Sequence, residues 1–299
     1  MIKLFSYFLI ILFEKLCKVN DFFDMLSKKH LNFTTFLVFF NIFAAKMQIL
    51  HTFMVIFYYI YEIFIILPFG LILTILAGLA TSLGCMCGFG KQMGYWPGVI
   101  WGKCFCYLCL SPYKVSGREK IDKNTSYIFV ANHQGAFDIF LLYAGLGHSF
   151  RWMLRKGIKK LPIIGIACDK AGQIWVDERG SSGLIHTVRQ ALQTLKGGTS
   201  MVVFPEGTRT KTGHLNRFKK GAFTLAAMLR MPVVPITIEG PYKVLPKGSF
   251  LVRPHRMSIT IHDPLPAVTK EEGTEQGVQR LLTESQRVIA ESLNEPVIQ

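Results

Sequence analysis

Acidic side chains are in short supply. The chain has 19 Asp plus Glu against 34 Lys plus Arg, a formal charge of +15 over 299 residues. Half of it is hydrophobic and only 18% is charged. That excludes a disordered chain, in which low hydrophobicity and high charge go together. Lys and Arg are missing altogether from residues 47–90, where Glu62 is the one acid. An ordinary soluble enzyme does not carry such a gap. Residues 111–299, in contrast, hold 26 basic and 15 acidic residues. The pattern is a membrane-embedded front joined to a basic globular body of ordinary domain size. A basic body predicts an anionic partner: nucleic acid, a phosphorylated metabolite or lipid headgroups.

A disulfide framework is also missing. The seven cysteines are odd in number. Cys17, Cys85, Cys87, Cys104, Cys106 and Cys109 lie in or beside apolar segments, and only Cys168 falls in the body. This usage fits a reducing compartment. Cys104, Cys106 and Cys109 have the closeness of zinc ligands. Their neighbours are Phe105, Tyr107 and Leu108, and no His or second pair follows. Buried apolar thiols are the better reading, and neither metal nor cofactor is expected. No phosphate-binding G-x-x-x-x-G-K-[ST] loop occurs, so triphosphate hydrolysis has no support. The basic runs lack interleaved aromatics, so no nucleic-acid partner is expected.

Three segments follow from the composition. Residues 1–46 are rich in Phe, Leu, Lys, Ile and Asn without a clear period. Their apolar run at 4–13 is too short to span, and no small-residue cleavage site follows. AT-rich DNA gives the same residues on translation, so Met47 is expected to be the true start; mass spectrometry of the native N-terminus checks this. Residues 47–110 form the membrane segment. Residues 63–83 supply one tilted span of about 20 residues. Alternatively, Pro68 and Gly70 break the run into a hairpin dipping into one leaflet. Lys46 before it and Lys91 and Lys103 after it favour the hairpin, with both ends cytoplasmic. Residues 96–110 are expected to lie along the membrane surface.

Residues 111–299 alternate short β-branched or aromatic runs with helical stretches. Strands are expected at 126–131, 151–154, 173–176, 200–204, 233–238 and 257–261. Helices are expected at 136–146, 162–171 (opened by Pro162), 181–195 (capped by Ser181 or Ser182), 222–229 and 271–293. Such alternation predicts an α/β fold: a largely parallel mixed sheet flanked by helices, preceded by N-terminal membrane helices.

In such a sheet the loops at the strand carboxyl ends carry the chemistry. Two stand out. The first holds Asn132, His133, Gln134, Gly135, Ala136, Phe137 and Asp138. A strand-to-helix turn brings His133 and Asp138 together, so that Asp138 fixes the imidazole tautomer and one ring nitrogen is left to take a proton. No nucleophilic Ser or Cys accompanies them, which suits activation of a substrate hydroxyl. A helix-capping histidine beside a first-turn aspartate is the plain structural alternative. The second loop holds Pro205, Glu206, Gly207, Thr208 and Arg209. A guanidinium among backbone amides suits a phosphate. Lys159, Lys160, Lys219 and Lys220 are read as a solvated basic face.

These blocks together resemble the 1-acyl-glycerol-3-phosphate acyltransferase family. Asn132-His133 with Asp138, and Phe204 through Arg209, are similar to two of its signature blocks. Lys156 through Pro162 and Gly165 to Asp177 is similar to a third, and Val233 through Ile236 to a fourth. The resemblance spans residues 100–265 and implies a glycerolipid acyltransferase-like fold. Two departures are visible: Gly135 stands where Ser is common, and Arg179 stands one place late. No phosphate role is therefore carried onto Arg179.

The family implies acyl transfer from a thioester, on coenzyme A or acyl carrier protein, to the sn-2 hydroxyl of 1-acyl-glycerol-3-phosphate, giving phosphatidic acid for phospholipid biosynthesis. His133 and Asp138 would be catalytic. Arg209 would bind the acceptor phosphate with Lys156 as helper, and Glu206 would orient the acceptor or Arg209. Thr208 belongs to the same substrate-binding turn, and the Gly207 amide is a candidate oxyanion donor. The enzyme would sit on the inner or cytoplasmic membrane with its body facing the cytoplasm. Glycerol 3-phosphate or an amino-acid lysolipid is the alternative acceptor. A membrane-anchored basic lipid-binding protein is the reading from another class.

Overall fold

The computed structural model describes residues 33–176 and 180–296. It divides into two compact units, Met1–Ile65 and Ile66–Gln299. In the first, helix α1 (Phe33–Tyr61) exposes large apolar side chains, among them Phe53 and Phe57. A π-helical turn, Glu62–Ile66, precedes helix α2 (Leu67–Met86). Among the described residues, the stretch Phe40–Met86 is long and apolar enough to cross a membrane by length and composition. The expected break at Pro68 and Gly70 is not a turn, because both residues are helical. Pro68 follows directly on the π-helical turn, through which the helix runs on without a break.

Helix α2 has two faces. Gly70, Thr74 and Gly78 form a small-residue face on which neighbours close in. A Cβ on Gly70 would sit 2.9 Å from the Phe105 ring, and one on Gly78 would sit 2.6 Å from Ile163 Cγ2. Thr74 Oγ1 accepts a hydrogen bond from Trp101 Nε1 at 3.0 Å. Leu67, Phe69, Leu71, Ile72, Leu76, Leu79 and Leu83 point outward and are exposed. Small residues inward and large apolar residues outward is how a helix packs when its other side meets lipid. Helix α3 (Trp96–Leu108), expected along the membrane surface and leading into the body, has its inner face built into the body. At Gly102 a Cβ would lie 2.5 Å from the Phe140 carbonyl oxygen, so the two backbones nearly touch. Trp96, Ile100 and Tyr107 remain exposed on its outer face.

The sheet follows. Its strands are β1 (Tyr113–Ser116), β2 (Ile128–Ala131), β3 (Phe150–Arg155), β4 (Ile174–Val176), β5 (Ser200–Val203), β6 (Val233–Glu239) and β7 (Met257–Ile261). The spatial order is β1-β7-β6-β2-β5-β3-β4. Every neighbouring pair is parallel except β6 and β7. Helices α4 (Phe137–Gly145), α5 (Ile164–Lys170), α6 (Gly180–Thr194), α7 (Gly221–Leu229) and α8 (Thr274–Leu293) connect or cover it. All residues of β2 and β5 are buried, as expected of central parallel strands covered on both faces. Strand alternation sends Ile128 and Val130 into a cluster with Phe223, Leu225, Leu281 and Ile289 of α7 and α8.

Three local details differ from the sequence reading. Strand β1 pairs in parallel with β7 at the sheet edge, and no sequence signal marked it. Helix α5 begins at Ile164, not at Pro162, after Ile163 adopts φ +65°. Ser181 and Ser182, expected as caps, lie inside the first turn of α6. Asp177, Glu178 and Arg179 fall outside the described residues, as do residues 1–32.

Candidate active site

Strands β2, β3, β5 and β6 run the same way, so the loops that leave their carboxyl ends gather at one edge. Asn132 anchors the first of these loops. Its side chain donates to the Ile238 carbonyl at 2.9 Å and accepts from the Ile238 N–H at 2.7 Å, extending the β2–β6 ladder past the strand end. His133 therefore leaves the sheet in a fixed direction. Asp138 arrives from the first turn of α4 and lies 2.6 Å from His133 Nδ1 through Oδ2. The same oxygen accepts the Gly135 N–H at 3.0 Å. The Asp138 side chain is fully buried, whereas that of His133 is 16% exposed. Burial pushes the Asp138 carboxyl up. The hydrogen bond and charge of His133, with the Gly135 and Gln134 amides, pull it back. With Nδ1 engaged, Nε2 remains for a substrate proton. The imidazole also stacks on Phe204, with centroids 3.9 Å apart and planes 8° from parallel.

The second loop holds the first from behind. Glu206 Oε1 accepts the His133 backbone N–H at 2.7 Å, and the Thr210 N–H donates to the His133 carbonyl at 2.9 Å. Glu206 Oε2 accepts from the Asn216 backbone at 3.1 Å and from its side chain at 2.6 Å. Burial raises the Glu206 carboxyl, and these bonds to His133 and Asn216 oppose the shift. Both oxygens of Glu206 are thus committed to bracing. Glu206→Ala should strip a buried acceptor from three donors and cost about 2–3 kcal/mol. Thermal unfolding and turnover measured on one preparation check this, and they should fall together. An unchanged melting temperature would remove the bracing role.

Arg209 is half-buried and makes no hydrogen bond or ion pair among the described residues. It does not pair with Glu206. Thr208 is exposed. The Gly207 N–H donates to the Phe204 carbonyl at 3.0 Å, closing the turn with Gly207 at φ +74°. That amide is already used, which argues against the expected oxyanion role. Lys156 is exposed on the 3-10 turn Lys156–Lys160 and does not line the cavity described next.

A cavity of about 670 Å³ opens beside His133. Thr74 and Gly78 of α2, Trp101 of α3, Ala167 and Cys168 of α5, and Trp152 and Leu154 of β3 wall it. Among the described residues its charged lining is Arg155 and Lys219, and no carboxylate faces it. Lys219 is exposed, as expected of a solvated face, and also borders the cavity. Its backbone N–H donates to the Pro205 carbonyl at 3.0 Å. Arg155 donates to the Gly207 carbonyl at 2.9 Å. Burial pushes the Cys168 thiol up to about 11, so this cavity residue is a poor nucleophile near neutral pH. Among the described residues no group of three or more His, Cys, Asp or Glu could hold a metal.

A largely parallel sheet thus carries a His–Asp pair at its carboxyl edge, beside a largely apolar cavity. Residues 112–239 match the family model described as Acyltransferase. The chain's relatives carry a narrower name. A chloroplastic 1-acyl-sn-glycerol-3-phosphate acyltransferase of Arabidopsis thaliana is 37% identical over 186 residues, 61% of this chain and 50% of the relative. The Brassica napus counterpart is 35% identical over 182 residues, 60% of this chain and 50% of the relative. That of Saccharomyces cerevisiae is 32% identical over 191 residues, 59% and 61%. The chain spans about half the length of the first two relatives. The crystal structure of the 1-acyl-sn-glycerophosphate acyltransferase PlsC of Thermotoga maritima superposes with a TM-score of 0.55 at 25% identity. It covers 78% of this chain and 99% of that one.

Proposed function

We propose that this protein transfers a fatty acyl group from an acyl thioester to the sn-2 hydroxyl of 1-acyl-glycerol-3-phosphate, forming phosphatidic acid. The observation that carries the reading is the His133–Asp138 pair on the wall of a cavity that is mostly apolar and lined by two cations. An acyl chain suits the apolar walls formed by α2, α3 and α5. A phosphomonoester suits Arg155, Lys219 and the unpaired Arg209.

The substrate hydroxyl gives its proton to His133 Nε2 as its oxygen attacks the thioester carbonyl. Asp138 holds the ring and stabilises the positive charge that forms on it. The tetrahedral intermediate collapses, the carbon–sulfur bond breaks, and the departing thiolate takes the proton back from His133. Acyl passes from sulfur to oxygen without a covalent acyl-enzyme. Coenzyme A and acyl carrier protein both fit as donors, since either presents the same thioester.

The protein works at a membrane. Exposed apolar residues of α2 and α3 support that placement. Lys46, Lys91 and Lys103 flanking the apolar stretch, with six free cysteines among the described residues, favour a body that faces the cytoplasm.

Phosphatidic acid formation by the purified protein tests the reading. Lysophosphatidic acid and glycerol 3-phosphate are compared as acceptors, each with acyl-CoA and acyl carrier protein. Lysophosphatidic acid should be the preferred acceptor. Faster use of glycerol 3-phosphate would transfer the assignment to that acceptor.

A further inference from the structure

Phe250 has no structural reason to be where it is. Its side chain is 96% exposed, more than any other large apolar side chain among the described residues. It sits on the loop between β6 and β7, and the loop is built to hold it out. The Ser249 N–H donates to the Pro246 carbonyl at 3.1 Å, with Gly248 at φ +93°. Ser249 Oγ accepts the Leu251 N–H at 3.2 Å. The Arg253 N–H returns to the Val244 carbonyl at 2.8 Å. Phe250 is therefore the tip of a closed turn.

Charge surrounds this tip. Residues 240–256 contain Lys243, Lys247, Arg253 and Arg256 and no acid. All four bases are exposed, and none makes a side-chain hydrogen bond or ion pair among the described residues. Both ends of the loop are tied to functional parts of the fold. At one end the carbonyls of Pro241 and Leu245 lie 2.9 Å from where a Cβ of Gly135 would stand, against the loop that bears His133. At the other end the His255 N–H donates to Ser111 Oγ at 3.4 Å, just beyond α3 with its exposed Trp96, Ile100 and Tyr107.

We propose that this loop is a second membrane contact of the protein: Phe250 enters the headgroup region and the four bases engage anionic lipid. An exposed aromatic ringed by unpaired cations is complementary to an anionic bilayer surface, which offers an apolar interior beneath negative headgroups. The contact lies beside the catalytic loop and thus sets the site mouth at the level where lipid acceptors reside. Gly135 also has its explanation here, because a serine side chain would collide with the loop's carbonyls.

The test uses the full chain with vesicles of phosphatidylcholine alone or mixed with phosphatidylglycerol. Phe250→Trp adds a fluorophore at the tip, and lipids brominated at shallow acyl positions quench tryptophan that enters the bilayer. The variant should show quenching beyond that of the wild-type protein, greater with phosphatidylglycerol and reduced by salt. Equal quenching of variant and wild type would overturn the proposal. This readout needs no turnover, so it stands apart from the catalytic reading.

A second variant, Phe250→Ser with Lys247→Ser, should keep its melting temperature and its activity on acceptor in detergent micelles. Its KM for acceptor in anionic vesicles should rise severalfold. Loss confined to acyl carrier protein as donor, with no dependence on lipid, would assign the loop to that acidic protein and overturn the membrane contact.

Discussion

His133→Ala should lose acyl transfer by a factor on the order of 10²–10⁴, the usual contribution of a positioned general base. The loss should fall on kcat, because the ring acts on a proton that moves only in the transition state. The fold should survive, since the groups that locate position 133 are its backbone N–H and carbonyl, held by Glu206 and Thr210. Alanine keeps both. Asp138→Asn should be impaired to a similar degree for another reason. Asparagine with its oxygen in that place lacks the charge that steadies the imidazolium, and with its NH₂ there it turns an N–H toward Nδ1, selects the wrong tautomer and loses the Gly135 bond. Turnover and melting temperature measured together check both variants. A His133→Ala enzyme that works at near wild-type rate would refute direct proton removal by this residue.

The second large effect belongs to Arg209. Arg209→Ala should raise the KM for lysophosphatidic acid roughly ten- to hundredfold, matching the 1.5–3 kcal/mol of a charge-assisted hydrogen bond. The donor KM should hardly move. The melting temperature should stay constant, because Arg209 holds nothing among the described residues. Lysine should rescue only in part, as a point charge replaces a planar fork. An uncharged monoacylglycerol should be a poor acceptor for the wild-type protein and be little affected by the change. Parallel loss on charged and uncharged acceptors would remove the phosphate from Arg209. Lys219 and Arg155, which line the cavity, are the residues to which the role would then pass.

The central strands were legible because β2, β5 and β6 are buried on both faces and so read as unbroken apolar runs. Strand β1 was not, because Tyr113–Ser116 is an edge strand only partly buried, and its pattern is too short to separate from a loop. The two site loops stood out as polar residues leaving apolar strands. Their division of labour did not. Sequence offered Glu206 as a partner of substrate or of Arg209, whereas the structure spends both carboxylate oxygens on His133 and Asn216. The cavity was invisible in sequence because its walls come from α2, α3, β3 and α5, whose apolar residues do not differ from those of a core.

The flat contact between His133 and Phe204 makes the benzene ring a partner whose strength depends on the state of the reaction. A neutral imidazole gains little beyond dispersion from the electron-rich face below it. In the proposed reaction it takes the substrate's proton and becomes a cation lying on that face, and the attraction grows. The developing charge is then met from two directions, through its edge by Asp138 and through its plane by Phe204. Electron density in Phe204 is thus coupled to the barrier: fluorine on that ring, which drains the face while nearly preserving its shape, would slow proton removal and leave acceptor binding untouched.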